Sequence, residues 1–384
     1  MKKLDFLQAF RGIAALMVVI LHSRINYPIN DSSVISNWLF NANASGVDLF
    51  FIISGFIMVY TTRNSDGSFF YAIQFGIKRL ARIVPVYLVL TFIYYIVMRI
   101  AYEIVGAKFD FTWEDVIQSL MFIPLNLKDG GAPFFGSPVL HVGWTLNYEI
   151  YFYLIFGISL LFKKFRWLAF LAWIATSLYM LPHLHGNSIT LAGTEQYNFT
   201  GYLNIVTSPL IWEFVAGVGI GLLYFSPLRI PNSVVARSIA WISATFAFWW
   251  IVSGVHSDMG ITRWGFPAAI MVLCFAIASK TYEFRVPKWL LWLGNISFSL
   301  YLVHPLVTNP TSVILWETPA RESLRDPSFL PLMVALSLAI GTISYHYLEK
   351  RLSNKVRDAI LSLVRDLFSK HKASKAKDTP PLPF

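Results

Sequence analysis

Ten stretches of this chain are apolar and long enough to cross a bilayer as helices of about 17 to 25 residues. They fall at 7–24, 46–62, 83–105, 142–162, 167–182, 203–225, 237–254, 265–279, 289–308 and 329–348. The window at 265–279 is short, and the window at 289–308 is diluted by Asn295 and His304. In lipid, backbone polar groups must be satisfied within the spanning segment. The pattern therefore predicts an all-α fold, a polytopic transmembrane helix bundle of about ten spans. Composition agrees, since 14% of the 384 residues are charged, against roughly 25% in a soluble domain.

Charge sets the expected orientation. With the N-terminus cytoplasmic, the inner segments collect Lys2, Lys3, Arg63, Lys78, Arg79, Arg82, Lys163, Lys164, Arg166, Arg229, Arg237, Lys280, Arg285, Lys288 and a basic tail. The outer loops hold only Arg24, Lys108, Lys128, Arg263, Arg321 and Arg325. This asymmetry places both termini in the cytoplasm. The net charge of +10 is then a product of topology. A nucleic-acid partner is not expected, because the cations are spread among short loops instead of lying on one face. Met1-Lys2-Lys3 before an apolar run looks like the start of a signal peptide, but no small-residue cleavage site follows His22, so a retained helix is expected. The single cysteine, Cys274, excludes an intramolecular disulfide and a Cys-rich metal site, and no metal is expected. Residues 1–352 form the expected membrane portion, and 353–384 a basic tail. The tail begins as an amphipathic helix through Leu352, Val356, Ile360, Leu363 and Leu367, expected on the inner leaflet, and becomes disordered beyond about Ser369.

Ionisable groups inside spans mark the candidate site. Arg11 and His22 lie eleven residues apart in the first window, which returns them to nearly one helical face about 16 Å apart. Such residues usually face a bundle interior or a water-filled cavity. Asp48, Glu149 and His304 fall in the outer parts of other spans, so His22 can join them only if the bundle brings four helices together. Asp48 also reads as a helix N-terminal charge, and His304 as an interfacial residue before Pro305. A histidine beside a carboxylate can take a proton from a hydroxyl, as acyl transfer to an alcohol requires, and the same pair serves proton relay in a transporter. At the inner end, Arg79 and Arg82 share a helix face close to Arg11. Guanidinium groups there suit the phosphates of a coenzyme A thioester, and they equally suit lipid headgroups.

Read together, these segments resemble the integral-membrane acyltransferase-3 family. The resemblance rests on Leu4-Asp5-Phe6-Leu7-Gln8-Ala9-Phe10-Arg11 running to His22, on Gly46-Val47-Asp48-Leu49-Phe50-Phe51, on Lys78-Arg79-Leu80-Ala81-Arg82, on Trp144-Thr145-Leu146-Asn147-Tyr148-Glu149, on Ser297-Phe298-Ser299-Leu300-Tyr301-Leu302-Val303-His304-Pro305 and on Tyr347-Leu348-Glu349-Lys350. These motifs span residues 4 to about 352, and their wording is most similar to the exopolysaccharide branch, the succinoglycan-type O-acetyltransferases. The resemblance implies a multi-pass protein of the bacterial inner membrane that moves an acyl group, most simply acetyl from cytoplasmic acetyl-CoA, to a sugar hydroxyl of an envelope glycan, lipid-linked or free. It implies His22 as general base, Glu149 or Asp48 as its orienting carboxylate, and Arg11, Arg79 and Arg82 on the donor. Tyr301 and Ser299 become oxyanion donors, with His304 and Glu349 as further motif residues. Some members carry an extracytoplasmic SGNH-hydrolase-like domain after the bundle; here a short basic tail is expected in its place. The rival from the residues alone is a proton-coupled transporter or flippase of lipid-linked sugars.

Overall fold

The computed structural model describes residues 4–23, 41–125, 131–197, 199–254, 258–318 and 328–377. Among them the chain is all-helical. Each apolar window contains a helix: α1 Asp5–His22, α2 Gly46–Thr62, α3 Phe69–Ile104, α4 Trp144–Leu160, α5 Arg166–Ala175, α6 Ile211–Phe225, α7 Ser233–Ser253, α8 Gly265–Ala278, α9 Lys288–Trp316 and α10 Phe329–Ser344. Eight of these elements belong to helices long and apolar enough to cross a membrane, with α2, α5, α6 and α10 reaching that length as parts of Ala42–Thr62, Lys163–Leu184, Tyr202–Phe225 and Phe329–Ser369. The other two, α4 and α8, have 17 and 14 residues. The protein is a multi-pass membrane protein. Several charges used for the orientation, Lys2, Lys3, Arg24, Lys128, Arg321 and Arg325, lie outside the described residues, as does the end of the tail at 378–384.

Two helices outrun their windows. α3 has 36 residues, or about 54 Å at 1.5 Å per residue, well beyond a hydrocarbon core of about 30 Å. Its start is fixed by Ser68, whose hydroxyl accepts from Tyr71 N at 3.1 Å. Arg79 and Arg82 consequently sit inside a continuous helix. α9 runs 29 residues through Pro305 and Pro310. Each proline removes one backbone donor, and the neighbouring helices hold the segment helical despite that loss.

α9 is the hub, packing on α1, α3 and α10, while α2 packs on α6. Small residues permit this closeness. A Cβ at Gly12 would lie 2.8 Å from Gly294 N, and one at Gly294 would lie 2.1 Å from the Gln8 carbonyl oxygen, so α1 and α9 touch backbone to backbone. Gly55 and Gly217 perform the same service between α2 and α6. We call the end of the bundle that holds the start of α1 its lower end.

The long connection after α3 lies against the bundle. Its short helix Trp113–Leu120 starts with a Thr112/Asp115 capping box and buries Val116 and Ser119. Tyr87 of α3 donates to Ser119 O at 3.1 Å, and Ser119 Oγ accepts from Val139 N at 2.9 Å. After α10 the chain passes a π-helical turn, Tyr345–Leu352, into α11, Ser353–Lys377. α11 continues that helix along the lower part of α3, with the Phe368 ring 5.0 Å from Phe70. It continues past Ser369, where disorder was expected, because its alanines and lysines are strong helix formers.

Candidate active site

Polar side chains gather at two levels between α1, α4 and α9. The upper level is histidine. The His22 ring lies 4.9 Å from His304 and 5.1 Å from His141, centroid to centroid. His22 Nδ1 lies 2.9 Å from Val18 O. A carbonyl only accepts, so this nitrogen carries the proton and Nε2 keeps its lone pair. His304 is fully buried, with Nδ1 3.3 Å from Leu300 O. His141, in the turn just before α4, is outside the membrane-spanning helices. Burial and the neighbouring His22 push its pKa down to about 3, which keeps its imidazole neutral. Among the described residues these side chains form no group arranged to hold a metal.

The lower level is a cavity of about 80 Å³ lined by Arg11, Arg79, Arg82, Glu149, Tyr153 and Tyr301, among others. Three helices supply its charge: α1 gives Arg11, α3 gives both other arginines and α4 gives Glu149. Thr145, Glu149 and Tyr153 recur every four residues on α4 and so share one face. Glu149 accepts from Ser54 Oγ at 3.4 Å and from Tyr153 OH. Arg79 donates to Thr61 Oγ1 at 2.6 Å and stands over the Tyr153 ring, and Arg82 stands over Phe298. Arg11 donates to Gln8 Oε1 at 3.3 Å. Among the described residues none of the three arginines has an ion-pair partner within 4.0 Å, and Arg82 has no hydrogen-bond partner. The cavity is therefore a cationic site for an anion or a strongly polarised group.

Tyr301 joins the levels. It lines the lower cavity, its ring lies 5.9 Å from His304, and its hydroxyl lies 3.0 Å from Val142 O and 2.9 Å from Thr145 Oγ1. Aromatic packing holds α4 in this register. Phe214 stacks between Phe51 at 4.5 Å and Phe152 at 4.4 Å, and Tyr148 donates to Pro133 O at 2.8 Å.

The structure thus brings His22 to His304 as the expected cluster required, but among the described residues it gives His22 no carboxylate partner. Glu149 lies eight residues beyond His141, about 12 Å lower along α4, so it meets the arginines instead. Asp48 turns elsewhere because Phe50 and Ser54 face the cavity and Asp48 lies about 160° round α2 from Phe50. It is fully buried beside Glu213 of α6, with Oδ1 accepting from Gly260 N at 2.9 Å. The orienting contact assigned to either carboxylate belongs to the Val18 carbonyl. Ser299, an expected oxyanion donor, points down and donates to Glu349 Oε2 at 2.8 Å. Sequence reasoning missed His141 and Glu213. Glu213 had a signal, a carboxylate inside an apolar window, whereas His141 sits at a window's edge and has none without the fold.

The fold and site define a polytopic helical membrane protein with a buried, arginine-lined cavity beneath a histidine cluster. The chain belongs to the acyltransferase-3 family, whose model, an acyltransferase domain, matches residues 4–346. It is an acyltransferase. It is similar to exopolysaccharide production protein ExoZ of Rhizobium meliloti (strain 1021), with 28% identity over 323 residues, 83% of this chain and 92% of that protein. It is also similar to nodulation protein 10 of Rhizobium leguminosarum bv. viciae, with 25% identity over 338 residues, 81% and 84% of the two chains. No solved structure matches it.

Proposed function

We propose that this acyltransferase moves an acetyl group from acetyl-coenzyme A in the cytoplasm to a sugar hydroxyl of an exopolysaccharide, a lipid-linked glycan in a bacterial inner membrane. The observation that carries the reading is the stack of two levels on one axis, with Arg11, Arg79 and Arg82 below, Tyr301 between, and His22 with His141 and His304 above. Both termini are cytoplasmic in this reading, the lower end faces the cytoplasm, and residues 1–352 form the catalytic portion with 353–384 as its tail. The similarity to an exopolysaccharide production protein supports a carbohydrate acceptor.

The arginines draw the anionic donor to the lower level, and the thioester passes beside Tyr301 towards the histidines. His22 Nε2 takes the proton of the sugar hydroxyl while the alkoxide oxygen attacks the thioester carbonyl. The carbon–sulfur bond then breaks, and the thiolate leaves with the proton that His22 accepted. Val18 O fixes the tautomer that leaves Nε2 basic. Glu149 balances the arginine charge and holds Tyr153 and Ser54 around the donor's path. Asp48 acts as a positioning residue, anchoring α2 to Gly260.

The test is mass spectrometry of surface and secreted polysaccharide from a deletion strain complemented with wild type or His22→Ala. An acetyl increment restored by wild type and missing with a His22→Ala protein present at normal level in the membrane is expected. Full acetylation by the variant would remove His22 as base. No acyl difference in any glycan, with lipid-linked precursor accumulating, would indicate transport and overturn the reading.

A further inference from the structure

Arg82 faces two spaces. Above it is the narrow cavity of Arg11 and Glu149; below it, α3, the π-helical turn and α11 enclose an open pocket of about 230 Å³. Lys78, Arg82, Lys350, Ser353, Asn354 and Arg357 are among its lining residues. Four cations thus meet around one carboxylate, Glu349, which already accepts from Ser299. Lys78 and Lys350 are exposed, and among the described residues neither has an ion-pair partner within 4.0 Å. Arg357 shares only its Nε with Asp358, at 2.9 Å. Among the described residues the buried Ser353 hydroxyl has no hydrogen-bond partner.

Size separates the roles of the two spaces. The cavity of Arg11 and Glu149, about 80 Å³, has room for a handful of waters and none for a nucleotide. The pocket below Arg82 is larger, open and lined by two flexible ammonium groups and two guanidiniums, a donor set suited to phosphate oxygens. Its walls are held by helix packing, since α11 is pinned to α3 through Phe70 and Phe368.

We propose that this pocket binds the phosphates of the nucleotide end of the acyl-coenzyme A donor, an inference that rests on the donor reading above. Arg82 is the junction. Lys78, Lys350 and Arg357 grip the phosphates outside the membrane, and the uncharged pantetheine arm rises past Arg82 into the narrow cavity. The tail helix is then part of the donor site. A lipid headgroup offers the same phosphate chemistry, so the experiment must separate the two sources.

Coenzyme A binding is measured on the purified full-length protein in nanodiscs of phosphatidylcholine containing some phosphatidylglycerol, with native mass spectrometry of retained lipid. The double variant Lys350→Gln/Arg357→Gln is expected to weaken coenzyme A binding about tenfold, the loss expected for two charge-assisted phosphate contacts. Lys78→Gln, on the other wall and independent of the tail's folding, shifts it in the same direction. Lys288→Gln removes a lower-face cation outside the pocket and leaves the affinity unchanged. Unchanged affinity in the pocket variants, equal weakening by Lys288→Gln, or loss of bound phosphatidylglycerol with coenzyme A affinity intact would each overturn the pocket assignment. A wild-type protein that binds no coenzyme A would instead refute the donor reading itself.

Discussion

Replacing Gly294 by alanine tests whether the two levels of the site depend on the touch between α1 and α9. The added carbon would lie 2.1 Å from the Gln8 carbonyl oxygen, about 1.4 Å short of an ordinary contact near 3.5 Å. Gln8 C and Cα also lie close, at 2.6 and 3.1 Å. These are backbone atoms that cannot swing aside as a side-chain tip can, so the helices must separate or slide by about an ångström. α1 carries Arg11 and His22; α9 carries Tyr301 and His304. Overpacking of this kind costs about 1–3 kcal/mol of stability, and an ångström of misplacement at a reacting centre costs about 100-fold in rate. The assay is glycan-dependent release of coenzyme A thiol by purified protein, with Tm measured on the same sample. Gly219→Ala is the control, because nothing lies within 4 Å of its added carbon; it is expected to leave turnover unchanged and to raise stability by up to about 1 kcal/mol. Wild-type turnover and Tm in Gly294→Ala would refute the argument that this contact sets the site's geometry.

Two further outcomes are expected. Glu149→Gln keeps the shape of the α4 face but removes the negative charge beside three guanidiniums, and turnover in the thiol-release assay should fall about 100-fold with membrane expression intact; near-normal turnover would reduce Glu149 to a hydrogen-bond acceptor for Tyr153 and Ser54. For His141, the folded pKa of about 3 lies below the unfolded value of 6.5. Between these values the unfolded chain binds a proton that the folded protein refuses, so the contribution to stability is complete above pH 6.5 and is lost as pH falls towards 3. Wild type should therefore lose more Tm between pH 7.5 and 5 than His141→Gln, and identical slopes would show that burial of His141 does not govern acid stability.

The architecture was legible in the chain because a bilayer leaves so few options. An apolar segment of the right length must be a helix, and each of the ten windows holds one. Arg11 was legible for the same reason, since an ionisable group inside such a segment faces the bundle interior, whereas Arg79 and Arg82, just before the third window, read equally as headgroup anchors; all three line one cavity. Where the windows ended was less legible. Hydropathy stops at residue 83, yet helical hydrogen bonding continues back to Phe69, because polar residues can extend a helix into water.

Which polar residues meet is a tertiary matter. Depth along each helix put Asp48, Glu149, His22 and His304 at comparable levels, but depth says nothing about rotation or about which helices are neighbours. The backbone contact at Gly12 and Gly294 decides that α1 faces α9, and so pairs His22 with His304. A loop tied to Tyr87 through Ser119 delivers His141 from outside the spans. The pitch of α4 lowers Glu149 to the arginines, and the rotation of α2 turns Asp48 to Gly260. The sequence by itself determined a membrane-spanning helical bundle with buried charge, because the solvent imposes that on any such chain. The pairing of those charges into a cationic cavity beneath a histidine cluster was decided only by helix packing, in which close approach at glycine fixes the faces that hydropathy leaves free.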